Sequence, residues 1–138
     1  MRNATAGHVA FDAMVIVRAA LGESERALEW LGVVERREAD AVAPDLIWLE
    51  VGNAFAGYVR RGGLTVGQGR RALSAALRLP VRTTAASELA APSFAVALER
   101  GLSVYDACYA ALAEAEEALL VTADRQLAEA VEHSELIA

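Results

Sequence analysis

The sequence contains no lysine, since all 13 of its basic residues are arginines. This absence excludes sites that need a lysine amine, such as a phosphate-loop lysine, a Schiff base or a lysine-assisted phosphoaspartate. A single cysteine, Cys108, excludes an internal disulfide and a zinc site built from several cysteines. No apolar run reaches the ~18 residues that a membrane helix needs. Residues 1–7 also lack a signal-peptide core, so we expect a cytoplasmic protein.

The length and hydrophobic content of the chain predict a single folded domain. It has 138 residues, of which 55% are hydrophobic, and this is enough to form a core and to argue against disorder. We expect residues 1–138 to form one domain, with residues 1–7 as a flexible tail. The net charge of −6 disfavours nucleic acid as a partner at face value. Net charge is a weak guide, however, because binding depends on where the basic residues lie.

Predicted strands and helices alternate along the chain, which indicates an α/β fold. Short apolar runs predict strands, and longer periodic segments bounded by Gly, Pro or capping residues predict helices. The predicted strands are 8–11, 41–43, 81–84, 118–122 and 136–137; the predicted helices are 13–21, 24–37, 46–61, 65–79, 87–100, 103–117 and 124–132. Asp45 is predicted to cap the helix that starts at residue 46. We therefore expect a central, mostly parallel sheet of 4–5 short strands with helices on both faces.

Three of the five aspartates lie at positions that suggest either helix capping or a functional site. Asp12 and Asp124 follow predicted strands, and the carboxyl ends of parallel strands form the ligand crevice of such sheets. Both also fit a role as helix N-caps. Asp106 lies three residues after Ser103, which matches a capping box. Taken singly, each of these acids is better explained by its structural role.

A fourth acid, Glu50, is harder to explain by local structure. On the predicted helix from residue 46 it shares one face with Asn53, beside an apolar stripe. Three or four carboxylates in one crevice could not all stay ionised without a cation between them. Ligands that are all oxygen atoms suit Mg²⁺, with Mn²⁺ as a second choice. A divalent cation held in this way supports hydrolysis of phosphodiester bonds.

The sequence resembles the PIN-domain ribonuclease toxins of the VapC type, the toxin halves of bacterial type II toxin–antitoxin pairs. The matching segments occur in the family's order and together span most of the chain. They are "FDAMVIVRAAL" (11–21), "APDLIWLEVGNAF" (43–55), "RRGGLTVGQGRRAL" (60–73), "GLSVYDACYAALAE" (101–114) and "LLVTADRQLA" (119–128). The combination of "LSVYDA" with a later "VTAD" is the most specific part of this resemblance.

The resemblance implies a fold, a site and a function. The fold is the PIN fold, and the family's four acids fall on Asp12, Glu50, Asp106 and Asp124, which are the catalytic and metal-binding residues that we predict. It implies Mg²⁺ or Mn²⁺ as cofactor and endonucleolytic cleavage of RNA, often tRNA or ribosomal RNA. It also implies a homodimer and a cognate antitoxin protein whose C-terminal segment covers the site. Asn53 matches the family's usual polar residue three after the glutamate, and we place it near the acids as a supporting residue.

Thr122, the threonine of the "VTAD" segment, is the second supporting residue that we place beside the four acids. One position departs from the family pattern. The family often has a small hydroxyl residue two after its first aspartate, where this chain has Met14. This departure removes one contact to water or phosphate.

Two other classes of function remain open. The first is a binding module with the same fold, in which the acids cap helices and the protein acts through a partner; Met14 and the negative charge favour it. The second is a phosphatase with an aspartate nucleophile, which also starts with an aspartate after the first strand. That class needs a second acid two residues later and a lysine, and this chain offers Met14 and no lysine.

Overall fold

The protein forms a five-stranded, wholly parallel sheet with the strand order β3-β2-β1-β4-β5, as described by a computed structural model over residues 7–137. The strands are β1 (His8–Phe11), β2 (Asp40–Pro44), β3 (Val81–Thr84), β4 (Leu119–Thr122) and β5 (Ser134–Leu136). The helices are α1 (Ala13–Ala20), α2 (Glu25–Glu35), α3 (Ile47–Arg60), α4 (Val66–Ala76), α5 (Ala86–Arg100), α6 (Val104–Ala115) and α7 (Arg125–Ala130). The α/β class and the parallel sheet with helices are thus confirmed.

Two hydrophobic cores lie on opposite faces of the sheet. Successive side chains of a strand point to opposite faces, so Val9 and Phe11 of β1 face one core and Ala10 faces the other. The core that contains Val9 and Phe11 includes residues of α1 and α2, and the core that contains Ala10 includes residues of α3, α5 and α6. These side chains are almost fully buried, which fixes the register of the strands because a shift by one residue would exchange the two faces.

The predicted cap of α3 was wrong. The residue at the N-cap position is Leu46, and no side chain caps this helix end. The Asp45 carboxylate instead accepts a hydrogen bond at 3.0 Å from the backbone N–H of Ala86, the first residue of α5. The backbone N–H of Asp45 also donates to the carbonyl of Thr84 at 2.8 Å. Since β2 and β3 are neighbours, the segments that follow them run side by side, and Asp45 reaches this partner from a distant part of the sequence.

The predicted tail of residues 1–7 falls largely on residues 1–6, which lie outside the described residues. The carbonyl of Gly7 accepts a hydrogen bond at 3.1 Å from the backbone N–H of Asp40. Within residues 7–137, every helix is too short or too polar to cross a membrane.

Candidate active site

The four predicted acids line a single cavity of about 500 Å³: Asp12, Glu50, Asp106 and Asp124. Asp12 follows the last residue of β1, and Asp124 lies two residues after the end of β4. β1 and β4 are hydrogen-bonded neighbours, so their carboxyl ends bring these two acids to the same edge of the sheet. Glu50 and Asp106 lie in the first turns of α3 and α6. The cavity therefore occupies the edge at which the sequence predicted a ligand crevice.

Asp12 is held in place by four hydrogen bonds. Its Oδ1 accepts from the backbone N–H groups of Met14 and Val15 at 3.0 and 3.3 Å, which caps α1. Its Oδ2 accepts from the hydroxyl of Thr122 and from the backbone N–H of Ala123 at 3.2 Å. A carboxylate has about four lone-pair sites, so these four hydrogen bonds engage all of them. A cation bound directly to Asp12 would have to replace or share one of these bonds, whereas a cation bound through water could be reached from the cavity side.

Thr122 connects two of the acids. Its side chain is completely buried, and its hydroxyl donates to Asp12 while accepting from the backbone N–H of Asp124 at 3.0 Å. The Asp124 carboxylate in turn caps α7 by accepting from the backbone N–H groups of Gln126 and Leu127 at 2.9 and 3.3 Å. Thr122 lies in contact with two of the predicted acids, which is the position expected of a residue that orients them.

Glu50 is held by a tyrosine from a different helix. The buried Tyr109 of α6 donates its hydroxyl to Glu50 Oε1 at 2.5 Å. Fifty-nine residues separate the two in sequence. Tyr109 also lines the cavity, and sequence analysis did not identify it. The only available signal was a tyrosine three residues after Asp106, which by helical spacing shares a face with it.

Asp106 forms one of the two hydrogen bonds of the predicted capping box and also lines the cavity. The hydroxyl of Ser103 accepts a hydrogen bond at 3.0 Å from the backbone N–H of Asp106, so Ser103 caps α6 as expected. The carboxylate of Asp106 lines the cavity at the same time. Asn53 lines the same cavity from α3 and is exposed there. Met14, the residue at which the sequence departs from the pattern it resembles, is also part of the cavity wall.

The cavity disfavours negative charge on Asp12, Glu50 and Asp106, whose pKa values are all raised. Burial raises the pKa of Asp12, although its hydrogen bonds to Thr122 and to backbone N–H groups partly offset this effect. Burial also raises the pKa of Glu50, and the negative charges of Asp106 and Asp12 add to the shift. The pKa of Asp106 is raised by burial and by the charge of Asp124. All three shifts express unfavourable desolvation or repulsion, and a bound cation would relieve both.

The donor set of the cavity fits a hard divalent cation in its chemistry. The four acids offer oxygen atoms, and no histidine or cysteine lines the cavity, which suits Mg²⁺ or Mn²⁺ rather than zinc. The carboxylates are not gathered at one point, however. Within residues 7–137, no three side chains of His, Cys, Asp or Glu lie close enough together to hold one ion. This spacing is expected of like charges that repel one another and of acids engaged in helix capping.

The fold and the site define a parallel α/β domain with a carboxylate-lined cavity at the carboxyl edge of its sheet. The family model of the PIN domain matches residues 9–132. The chain belongs to the PIN domain family. A relative with a described activity is ribonuclease VapC3 of Pyrobaculum aerophilum, with 38% identity over 87 residues. That match covers 62% of this chain and 66% of the relative, so it spans slightly less than two thirds of the relative's length.

Solved structures show the same fold. PAE2754 from Pyrobaculum aerophilum superposes with a TM-score of 0.74 and 27% identity, covering 94% of this chain and 90% of that one. VapBC2 from Rickettsia felis, bound to a DNA fragment from its promoter, gives a TM-score of 0.67 and 14% identity over 95% and 99% of the two chains. A toxin–antitoxin complex from Klebsiella pneumoniae gives 0.59 and 19% over 92% and 95%. At these last two identities the likeness shows the fold alone.

Proposed function

We propose that this protein is a metal-dependent endoribonuclease that hydrolyses RNA phosphodiester bonds in its acidic cavity. The observation that carries the proposal is that four acids from separate segments, Asp12, Glu50, Asp106 and Asp124, line one cavity. The 38% identity to a ribonuclease supports RNA as the substrate.

The proposed roles follow from the position of each acid. A divalent cation, Mg²⁺ or Mn²⁺, would polarise the phosphodiester and make water more acidic at neutral pH. Asp12, Asp106 and Asp124 would hold this cation directly or through water. Glu50 would bind it too or orient the attacking water, because Tyr109 fixes its carboxylate at the cavity wall. In that step the water oxygen would form a bond to phosphorus and lose a proton to solvent, while the bond from phosphorus to the leaving oxygen would break and that oxygen would take up a proton.

We also propose that the protein is the toxin of a toxin–antitoxin pair, that it binds a cognate antitoxin and that it forms a homodimer. Several large apolar side chains are more than half exposed, as expected of a surface that binds another protein. They include Leu49, Phe94, Leu98 and Tyr105. Two of these, Leu49 and Tyr105, also line the acidic cavity, so a partner bound there would obstruct access to it.

The decisive test of the enzymatic proposal is cleavage of a panel of structured RNAs, including tRNA and ribosomal RNA fragments, with Mg²⁺ or Mn²⁺. Asp12→Asn and Asp106→Asn should each reduce cleavage at least ~100-fold, because each removes a negative charge from the cavity. Asp40→Asn is the matched control, since Asp40 starts β2 at the opposite edge of the sheet. Cleavage that persists undiminished in both cavity variants would refute the assignment.

The folding of these variants must be measured alongside their activity. Asp12 accepts four hydrogen bonds, so its replacement also disturbs a helix cap. Asp106→Asn is the cleaner variant, because the α6 cap comes from the Ser103 hydroxyl and the Asp106 backbone. Loss of activity in Asp106→Asn with an unchanged melting temperature would assign that loss to the site.

The second candidate function is a PIN-fold binding module without catalysis. The absence of three convergent ligands within residues 7–137, together with Met14 in the cavity wall, favours this alternative. Thermal melting with and without metal separates the two. A ligand at 100 times its Kd stabilises the folded state by about 2.7 kcal/mol. An increase in Tm with millimolar Mg²⁺ or Mn²⁺ that Asp106→Asn abolishes supports the enzyme, whereas no increase supports the module.

A further inference from the structure

Arg18 is the one basic side chain among the described residues that line the acidic cavity. It lies on α1, six residues after Asp12, and is half-buried. The ion pairs of the described arginines involve Arg26, Arg36, Arg82 and Arg100, and Arg18 takes part in none of them. An arginine in a cavity of four carboxylates would be expected to pair with one of them.

The charge of Arg18 acts on a tyrosine of α3. It is not among the causes that shift the pKa values of Asp12, Glu50 and Asp106. It does act on Tyr58 of α3, where it opposes the rise in the pKa of the hydroxyl caused by burial and by Glu23. The positive charge of Arg18 thus lies near enough to Tyr58 of α3 to act on its hydroxyl.

A second arginine extends this positive surface. The guanidinium of Arg61 lies 5.1 Å from the centre of the Tyr58 ring, and its charge acts on the same hydroxyl as that of Arg18. Arg18 and Arg61 thus both lie near Tyr58, and Arg18 also lines the acidic cavity of a protein with a net charge of −6. A polyanion that enters such a cavity needs a local positive charge, because the four carboxylates repel it.

We propose that Arg18 binds a phosphate next to the bond that is cleaved, and so positions the RNA strand at the acidic cavity. This inference rests on the proposed endoribonuclease function. The guanidinium would donate two parallel N–H hydrogen bonds to the non-bridging oxygens of one phosphate, a geometry that arginine provides and lysine does not. Arg18 transfers no proton, so it contacts the substrate without taking part in bond cleavage. Arg61 would provide the next positive charge along the strand.

The test compares Arg18→Gln with Arg78→Gln. Arg78 is an exposed arginine just after α4, and it donates a hydrogen bond to the Ser74 hydroxyl at 3.1 Å. It lies near the amino end of β3, whereas the acidic cavity lies at the carboxyl ends of the strands. Binding of a fluorescent single-stranded RNA is measured in an Asp106→Asn background at several salt concentrations. Arg18→Gln should weaken binding roughly 10–100-fold. It should also reduce the salt slope by ~0.7, the value for one lost phosphate contact on a single strand.

The lysine variant separates the charge of Arg18 from the geometry of its guanidinium. Arg18→Lys should keep the salt slope but bind more weakly than the wild type, because it retains the charge and loses the paired geometry. If the wild type neither binds nor cleaves RNA, the proposed function is wrong and this inference falls with it. If the wild type cleaves RNA but Arg18→Gln matches Arg78→Gln in Kd and salt slope, only the role of Arg18 is wrong. Weaker binding with an unchanged slope and a lower Tm would assign Arg18 a structural role and also overturn the proposal.

Discussion

Replacing Thr122 with valine tests whether the buried hydroxyl that connects Asp12 and Asp124 holds the site together. Valine keeps the shape and branching of threonine, so the change removes two hydrogen bonds with little change in volume. One bond is donated to the Asp12 carboxylate, and the other is accepted from the Asp124 backbone at 3.0 Å. The side chain is completely buried, so water cannot replace either bond without a rearrangement.

The size of the effect follows from these two bonds. A hydrogen bond to a charged group contributes about 1.5–3 kcal/mol, and a bond to a neutral group contributes about 1 kcal/mol. The methyl group that replaces the hydroxyl of Thr122 returns about 0.8 kcal/mol through apolar burial. The net loss should be about 2–3 kcal/mol in the free energy of unfolding. With ~2.1 cal/mol/K of unfolding entropy per residue, a chain of 138 residues should lose about 7–10 °C in Tm.

The assay is urea unfolding and thermal melting of the Thr122→Val and Thr122→Ser variants in metal-free buffer. Serine keeps the hydroxyl and loses one methyl group, which should cost about 1 kcal/mol. The valine variant should therefore be the less stable of the two. It should also cleave RNA 10–100-fold more slowly, as expected when a residue that orients a ligand is lost. A valine variant as stable as the serine variant would show that the hydroxyl does not support Asp12.

Two further predictions concern regions away from the cavity. Gly69→Ala in α4 should destabilise the protein by about 1–2 kcal/mol in urea unfolding, because the added Cβ would lie 2.9 Å from a methyl of the stiff Val59 side chain. The control is Gly67→Ala on the same helix, where the atom nearest to the added Cβ is 3.4 Å away. This control should be neutral or stabilising by up to ~1 kcal/mol. Glu135 accepts hydrogen bonds from Arg26 at 2.6 and 3.0 Å, which lower its pKa in the folded state. Glu135→Gln should therefore reduce the free energy of unfolding by about 0.5–1 kcal/mol at pH 7. This difference from the wild type should disappear as the pH falls through the range in which glutamate is protonated. A difference that grows toward acid pH would contradict the prediction.

The elements of the fold could be predicted from the sequence because their signals are local. The apolar run at 8–11 is followed by Asp12, a residue that both ends a strand and caps a helix, and the structure has β1 and α1 at these positions. Thr65 was likewise predicted to start a helix, and it caps α4 in a reciprocal capping box with Gln68. The strand at 41–43 was predicted one residue too short at each end, because hydrogen bonding with the neighbouring strands extends β2 to Pro44.

The contacts within the site could be predicted only in part. A parallel sheet places the carboxyl ends of its strands at one edge, so the proximity of Asp12 and Asp124 follows from the topology alone. The hydrogen bond from Tyr109 to Glu50 does not, because it depends on how α6 packs relative to α3. Asp45 illustrates the same limit: its sequence context favours a cap of α3, but its carboxylate instead accepts a hydrogen bond from a backbone N–H more than forty residues away.

The sequence by itself determined the α/β class, the order of the elements and the identity of four acids that could share a crevice. The class and the order of the elements follow from hydrophobic periodicity and capping residues, which act over a few residues, and the acids were identified by their positions after predicted strands and in predicted helices. The tertiary structure decided which side chains hold those acids: Thr122 for Asp12, and Tyr109 for Glu50. It also placed Arg18 in the cavity wall without pairing it to an acid. The physical reason is that contacts between distant segments depend on the packing of whole helices and strands against the sheet, and no local pattern in the sequence specifies them.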